Sequence, residues 1–192
     1  MAFPAPIDLF DHVGPWTEED FLALPEDRRV ELLDGELLVS PSARHIHQRL
    51  SFRLAGALDA AAPDGFEVLE AVNVRVAPGR ILIPDIAVIT NPGADVIVSD
   101  AADVAMVVEI VSPGSVVADR AVKPQLYAAA GIPHYLRVEL GDVGPTAIAF
   151  RLRDTRYVEA TRAERGQRLQ LSEPFGVDVD LGELASRTRP TD

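Results

Sequence analysis

The chain has 192 residues, of which 47% are apolar, and this balance indicates a globular protein with a core of ordinary size and excludes a disordered chain. It has no cysteine, which excludes a disulfide framework, a thiolate zinc site and a cysteine nucleophile. The formal net charge of −12 opposes loose electrostatic binding to nucleic acid, so a DNA partner would need a local basic patch or a metal ion. Without a signal-peptide pattern or an apolar run of roughly 18 residues, we expect a cytoplasmic protein with no membrane partner.

The N-terminal region predicts an arm, a short helix, a hairpin and a long helix. Residues 1–16 are rich in proline and are interpreted as the arm, and Thr17 with the three acids after it is typical of a helix start. An Asp-Gly pair between two apolar runs predicts a hairpin over residues 30–39. Ser42 is expected to cap a helix over residues 43–62, because apolar positions recur there at helical spacing.

The central region predicts several strands and a second helix. Apolar, β-branched runs place strands at residues 66–69, 72–76, 81–89, 96–98, 105–111 and 134–140. The helix between the last two strands is expected to end near Ala130, with Gly131 as its stop. Pro124 would cost about 3 kcal/mol deep inside a helix, so we expect this helix to begin or kink close to Lys123.

The remainder predicts a β-rich extension over residues 141–186 that follows a core over residues 17–140. Its short apolar runs are interpreted as a β-meander, then a last helical turn and a frayed tail, at residues 146–152, 156–160, 169–171, 177–179, 181–186 and 187–192. The order of elements is not the regular alternation of a doubly wound fold. We therefore predict one domain of the α/β (α+β) class, with a mixed β-sheet flanked by helices.

Two of the apolar runs each carry a single carboxylate, Asp85 and Glu109. A lone ionised carboxylate in a strand that is buried on both faces is costly unless a cation or a hydrogen-bond network meets it. Since each acid lies close to a proline in neighbouring core strands, we hypothesise that both bind one divalent cation, Mg²⁺ or Mn²⁺. The alternative is that one carboxylate caps a turn and the other faces solvent from an edge strand.

Three polar residues of the second helix, Asp119, Lys123 and Tyr127, follow one another at i, i+4 spacing and would share one helical face. An ammonium group near a metal site could orient water or offset developing charge. The pattern alone favours a surface Asp–Lys pair, which would contribute only about 0.3 kcal/mol to stability.

Several short motifs together resemble one bacterial protein family. They are Val-Glu-Leu-Leu-Asp-Gly-Glu-Leu at 30–37, His47-Gln48, Ile-Pro-Asp-Ile at 83–86, Val-Val-Glu-Ile-Val-Ser-Pro at 107–113, and Asp119, Lys123 and Tyr127 followed by Ala-Gly-Ile-Pro-His-Tyr-Leu. Their order and spacing resemble the Uma family, restriction-endonuclease-like proteins of the PD-(D/E)XK nuclease superfamily. The similarity spans about Thr17 to Leu140.

The resemblance implies a restriction-endonuclease-like core and a Mg²⁺-dependent endonuclease that acts on DNA, often as a homodimer. It puts Asp85 at the Pro-Asp position and Glu109 at the second acid. The superfamily lysine usually lies two residues after that acid, where this chain has Val111, so the resemblance assigns the role to Lys123 on the following helix. The Leu-Arg-Val-Glu segment at 136–139 also departs from the family, which more often has an aromatic residue and an aspartate there.

Three further residues are candidates for a supporting role. Glu31 and Gln48 could provide another metal ligand or orient water, but we favour a cross-strand partner of an arginine and a solvated helix residue, respectively. His47 is expected at the surface, with the wall of the cleft as the alternative. It is two residues from His45, so the two rings point in different directions on a helix and do not form the i, i+4 pair of a zinc protease.

Arginines provide two candidate basic surfaces. Arg44, Arg49 and Arg53 could contact a phosphate backbone, although a solvated helix face is favoured. The C-terminal region is the most basic, through Arg151, Arg153, Arg156, Arg162, Arg165 and Arg168.

Two other functions stay open: a catalytically inactive nuclease-like scaffold that acts as an interaction or regulatory module, and a carbohydrate- or small-molecule-binding β-protein, which the 6% aromatic content disfavours.

Overall fold

The computed structural model describes residues 12–25, 29–39, 43–112 and 115–186. Within these ranges the α-helices are α1 Glu18–Leu22, α2 His45–Ala61, α3 Lys123–Ala129 and α4 Leu181–Ala185. The strands are β1 Val30–Leu33, β2 Glu36–Val39, β3 Glu67–Glu70, β4 Asn73–Ala77, β5 Arg80–Leu82, β6 Ile86–Ile89, β7 Val98–Asp100, β8 Val104–Val111, β9 His134–Gly141, β10 Gly144–Arg153, β11 Arg156–Ala163, β12 Arg168–Leu171 and β13 Val177–Asp180. The predicted cap Ser42, most of the predicted arm and the tail after residue 186 lie outside the described residues.

The strands of the described residues form three sheets, and the two large ones are mixed. The five-stranded sheet has the order β2-β1-β5-β4-β7, the six-stranded sheet has the order β11-β10-β9-β8-β6-β3, and β12 pairs with β13 alone. Strands β8 and β9 are parallel, and α3 lies in the connection between them. The predicted class, mixed sheets flanked by helices, is confirmed. The predicted C-terminal meander is divided, because β10 and β11 extend the six-stranded sheet whereas β12 and β13 form a separate hairpin.

The predicted strand over residues 81–89 is wrong, because the chain breaks there into β5 and β6, which belong to different sheets. Pro84 explains the break: proline has no N–H for a strand ladder, and it restricts the backbone of Ile83 before it. Asp85 therefore lies in a bend directly before β6 and not inside a strand. The strand expected at 96–98 is also displaced and begins at Val98.

The two local stop signals in the sequence behave as predicted. The hairpin of β1 and β2 turns at Asp34 and Gly35, whose φ values of 51° and 89° are the left-handed backbone that this two-residue turn requires. Helix α3 is followed by Gly131 at φ 80°, which ends it by the usual glycine mechanism.

The six-stranded sheet is covered on both faces. On one face, α2 packs the buried side chains of Leu50, Leu54 and Leu58 against it, and each such leucine contributes roughly 1.5–3 kcal/mol through burial. On the other face, Tyr127 of α3 packs against Val107 of β8. Every residue of β8 is buried, so any charge on this strand must be met by partners inside the protein.

Candidate functional site

Lys123 is the centre of a buried polar cluster. Its Nζ atom lies 2.9 Å from Oε1 of Glu31, 3.1 Å from Oε1 of Glu109 and 4.0 Å from Oδ1 of Asp119. It also donates a hydrogen bond of 3.5 Å to the carbonyl oxygen of Ile83. The side chain is only 10% exposed, so the expectation of a surface Asp–Lys pair is wrong. Carboxylates from three separate elements lie within 4.0 Å of the ammonium group and offset the cost of burying its charge.

Glu31 joins this cluster through the break that Pro84 makes. Its Oε1 atom accepts a 2.7 Å hydrogen bond from the N–H of Ile83, in addition to its ion pair with Lys123. The N–H and carbonyl of Ile83, which lie beyond the end of β5, are thus satisfied by two side chains of the cluster. The interpretation of Glu31 as the partner of an arginine is wrong, because its cation is Lys123.

Glu109 projects from β8 on the face that α3 covers. Its Oε1 atom accepts a 2.6 Å hydrogen bond from the hydroxyl of Tyr127 and is shared with Lys123. Burial raises the pKa of Glu109 to about 8, although Lys123 and the Tyr127 hydrogen bond act in the opposite direction and Asp85 adds to the rise. Burial also raises the pKa of Tyr127 well above its usual value, which keeps this hydroxyl a donor.

Asp85 is held next to Glu109 by the pairing of β6 with β8. Ile86 pairs with Val108 in antiparallel register. Asp85, directly before Ile86, therefore lies across from Glu109, directly after Val108. The Oδ2 atom of Asp85 accepts a 2.7 Å hydrogen bond from the N–H of Ile110, which makes the side chain a substitute for a strand partner. The same oxygen lies 3.2 Å from Nε2 of His47.

The surface position predicted for His47 is wrong, because the residue is only 8% exposed. Burial by itself lowers the pKa of His47, but the hydrogen bond and the charge of Asp85 outweigh burial, so the pKa is raised. Its neighbour Gln48 is exposed on α2, in agreement with the favoured interpretation as a solvated helix residue. The turn of α2 therefore directs one of the two predicted residues into the site and the other to solvent.

Asp119 and Lys123 are presented by a π-helical turn over Ala118–Val122. The N–H of Lys123 donates to the carbonyl of Ala118, five residues earlier, and α3 begins at Lys123 with Pro124 in its first turn. The predicted helix start near Lys123 is confirmed. The side chain of Asp119 is buried, and burial raises its pKa despite a hydrogen bond from Ser115.

The two acids predicted to bind metal each keep one oxygen outside these contacts. Within the part of the chain that the structure describes, the hydrogen bonds and ion pairs of Asp85 use Oδ2, and those of Glu109 use Oε1. Among the same residues, no group of three or more His, Cys, Asp or Glu side chains is arranged to hold a metal ion. A cation here would thus have two carboxylate ligands and need further oxygens from substrate and water, which is common for Mg²⁺.

Comparison with known proteins gives the family. A model described as "Uma2: Putative restriction endonuclease" matches residues 18–182. The chain belongs to the Uma2 family. A crystal structure described as a "putative nuclease belonging to DUF820" from Anabaena variabilis is similar with a TM-score of 0.69, at 14% identity, over 90% of this chain and 100% of that one. At this identity the likeness shows the fold. No curated protein matches the chain.

Membership of Uma2 extends the resemblance beyond the segment from Thr17 to Leu140 that the motifs indicated, since the match continues to residue 182. It supports a nuclease function in general. One compositional signal also distinguishes the site: Lys123 is the only lysine in the chain. All other Lys and Arg residues of the chain are arginines, so the single lysine is distinctive by composition alone, and a compact ammonium group is not equivalent to a guanidinium.

The arginines of this Uma2 protein are engaged in more structural contacts than predicted. Arg49 and Arg53 do not form a solvated face but donate to carbonyl oxygens at the end of α4, including that of Ala185 at 3.1 Å. Three arginines of the C-terminal region pair with carboxylates: Arg151 with Glu173, Arg162 with Glu159 and Glu164, and Arg168 with Asp178. The local positive charge of that region is accordingly smaller than its arginine count indicates. In the described ranges, no helix is long and apolar enough to cross a membrane.

Proposed function

We propose that this Uma2 protein is a Mg²⁺-dependent endonuclease that hydrolyses DNA phosphodiester bonds, with Asp85 and Glu109 as the metal ligands and Lys123 as the assisting cation. The observation that carries the proposal is the placement of these two acids at facing positions, directly before β6 and on β8, with Glu109 paired to a buried lysine and, among the described residues, one oxygen of each acid outside the hydrogen bonds. Family membership and the general nuclease function that it supports agree with this reading.

The donor set fits a small, hard divalent cation. Carboxylate oxygens suit Mg²⁺ and Mn²⁺, and the oxygens of a phosphate and of water can complete the coordination that two carboxylates begin. When bound, the ion would offset negative charge on the phosphate and make a water molecule more acidic. A nearby cation would also lower the raised pKa of Glu109 and so keep its carboxylate ionised at neutral pH.

The protein's own groups hold both acids in place. Tyr127 and Lys123 fix Glu109 through Oε1, while the N–H of Ile110 and the ring of His47 fix Asp85 through Oδ2. Lys123 directs its N–H groups at Glu31, Glu109 and the Ile83 carbonyl. Its role in the proposed reaction is therefore to stabilise charge from a fixed position and not to travel with the substrate.

DNA binding would rest on cations at the edge of the cluster. Arg29 is exposed, and its charge opposes the rise in the pKa of His47, which supports a position on the same side of the protein as the cluster. Arg44 is exposed directly before α2, the helix that carries His47. We propose that these two guanidinium groups contact phosphates despite the acidic total charge.

The test is cleavage of supercoiled plasmid with Mg²⁺ or Mn²⁺. Asp85→Asn and Glu109→Gln are expected to slow cleavage by on the order of 100-fold or more, since each removes a charge that the transition state needs. Glu159→Gln is the matched control, because Glu159 forms only an exposed pair with Arg162. Equal cleavage by the unmodified protein and all three variants would identify a contaminating nuclease and refute the assignment.

The alternative is a catalytically inactive scaffold that acts as an interaction or regulatory module, and two observations favour it: Val111 replaces the usual lysine, and the net charge is −12. It predicts that Mn²⁺ leaves the melting temperature unchanged. A rise with Mn²⁺ in the unmodified protein, absent in Asp85→Asn, would count against the scaffold. Homodimer formation stays a prediction from the resemblance, and sedimentation velocity would measure it.

A further inference from the structure

The carbonyl oxygen of Asp119 is in an unusual position because of Pro124. In a regular α-helix this oxygen would accept from the N–H of Lys123, but that N–H donates to Ala118 instead. In a π-helical turn it would accept from residue 124, five positions later, but proline has no N–H. Neither helical partner is therefore available to a carbonyl on a buried residue.

Tyr135 provides the missing donor from a neighbouring strand. Its hydroxyl lies on β9, which is parallel to β8, and donates a 2.6 Å hydrogen bond to the Asp119 carbonyl. The ring is 1% exposed and packs against three other aromatic rings, those of Tyr127, Phe150 and Tyr157. The donor is thus rigidly mounted and comes from outside the helix.

We propose that Tyr135 is a positioning residue that keeps the turn before α3 in its π-helical form and thereby holds Lys123 between Glu31 and Glu109. The proposal rests on the proposed function for its catalytic meaning, but not for its structural content. If the hydroxyl is removed, the nearest donor that the Asp119 carbonyl can regain is the N–H of Lys123. That exchange is a change from π-helical to α-helical pairing, and it moves Lys123 relative to both of its carboxylate partners.

A second tyrosine provides a matched control. Tyr157 packs against Tyr135, and its hydroxyl also donates to a backbone carbonyl, that of Ile132 at 2.8 Å. Ile132 lies after α3, beyond the turn that carries Asp119. Tyr157→Phe removes a partly buried hydroxyl from the same ring cluster and leaves the hydrogen bond from Tyr135 to the Asp119 carbonyl in place.

The experiment uses the single lysine as its own reporter. Protein labelled with [¹⁵N]lysine has only Lys123 labelled, so its side chain gives one ammonium signal whose hydrogen exchange and shift report burial. The unmodified protein and Tyr157→Phe are expected to give the same protected signal without metal or DNA. Tyr135→Phe is expected to give a shifted signal with exchange at least tenfold faster, with the fold verified by circular dichroism.

Two unnatural side chains at position 135 complete the test. 4-Methylphenylalanine fills the volume without a donor and is expected to behave like Tyr135→Phe, whereas 4-aminophenylalanine keeps a donor and is expected to restore the protected signal. Donor-free proteins that fold with an unchanged Lys123 signal would overturn the proposal. If they do not fold, the proposal stands only if the 4-amino protein folds with the protected signal, and falls if it does not. Absence of plasmid cleavage by the unmodified protein would refute the endonuclease proposal alone, since the lysine signal is measured without metal or DNA.

Discussion

Replacing Lys123 with methionine measures how strongly the buried cluster depends on its single cation. Lys123→Met keeps the length of the side chain but leaves Glu31 and Glu109, which are 5% and 3% exposed, without the ammonium that lies about 3 Å from both. Breaking a buried ion pair by removing one partner typically costs 3–5 kcal/mol, because the other charge stays buried and uncompensated. An exposed pair would contribute at most about 1 kcal/mol.

Urea denaturation in the presence of EDTA provides the comparison. We expect Lys123→Met to lower the free energy of unfolding by about 3–5 kcal/mol, which for a chain of this length corresponds to a fall in melting temperature of roughly 6–20 °C. The loss is expected to be larger at pH 8 than at pH 5, because a carboxylate without its cation can be buried more easily when protonated. The control is Arg162→Met, which breaks an exposed pair. A loss below about 1 kcal/mol for Lys123→Met would refute the reasoning, since the cluster would then behave like a surface pair.

Two further predictions concern pH and the C-terminal helix. Burial raises the pKa of Glu109 to about 8 in the folded protein, so the folded state holds a proton there that the unfolded state releases near pH 4.5. The metal-free protein should therefore lose on the order of a few kcal/mol of stability as the pH rises from about 4.5 to 8. Glu109→Gln should flatten this slope in urea titrations at several pH values, and an unchanged slope would contradict the assignment to Glu109. Arg53→Ala should lower the unfolding free energy by about 1–3 kcal/mol, because Arg53 donates to three carbonyl oxygens at the end of α4. The control Arg156→Ala alters an exposed arginine, and equal effects of the two variants would show that the α4 contact contributes nothing.

Local sequence signals predicted the parts of the site that depend on local structure. The apolar run around Glu109 could only be a buried strand, and the proline after Lys123 required a helix start or a distortion at that point. Both predictions rest on backbone sterics and on burial, which act within a few residues. The same reasoning failed at Asp85, where the run from Ile81 to Ile89 looked continuous although Pro84 sends its two halves to different sheets.

Long-range partners could not be read from the sequence in the same way. His47 and Glu31 look like surface residues in their own elements, and each is buried because a residue far along the chain meets it: Asp85 for His47 and Lys123 for Glu31. The pattern within α2 shows which face of the helix is apolar, but it does not show that the carboxylate of Asp85 lies next to His47 at the end of that face. The arginines Arg49 and Arg53 follow the same rule, since the carbonyls they bind are at least 130 residues away.

The balance of charge inside the cluster gives an independent physical reason to expect a divalent cation. Four carboxylates belong to the cluster, those of Glu31, Asp85, Glu109 and Asp119. Lys123 lies within 4.0 Å of three of them, and His47, whose pKa is raised, lies against Asp85. With all four acids ionised, two negative charges are left over even when His47 is protonated. Burial is the main reason that the pKa values of Glu109 and Asp119 are raised, and the charge of Asp85 adds to both rises. Protonation removes the excess negative charge by converting carboxylates to neutral carboxylic acids. One divalent ion would balance the same charge and leave the carboxylates ionised. Metal binding should therefore release protons from the protein. Calorimetric titration with Mn²⁺ in two buffers of different ionisation enthalpy would measure the number released, and a value of zero at pH 7 would contradict this account of the cluster.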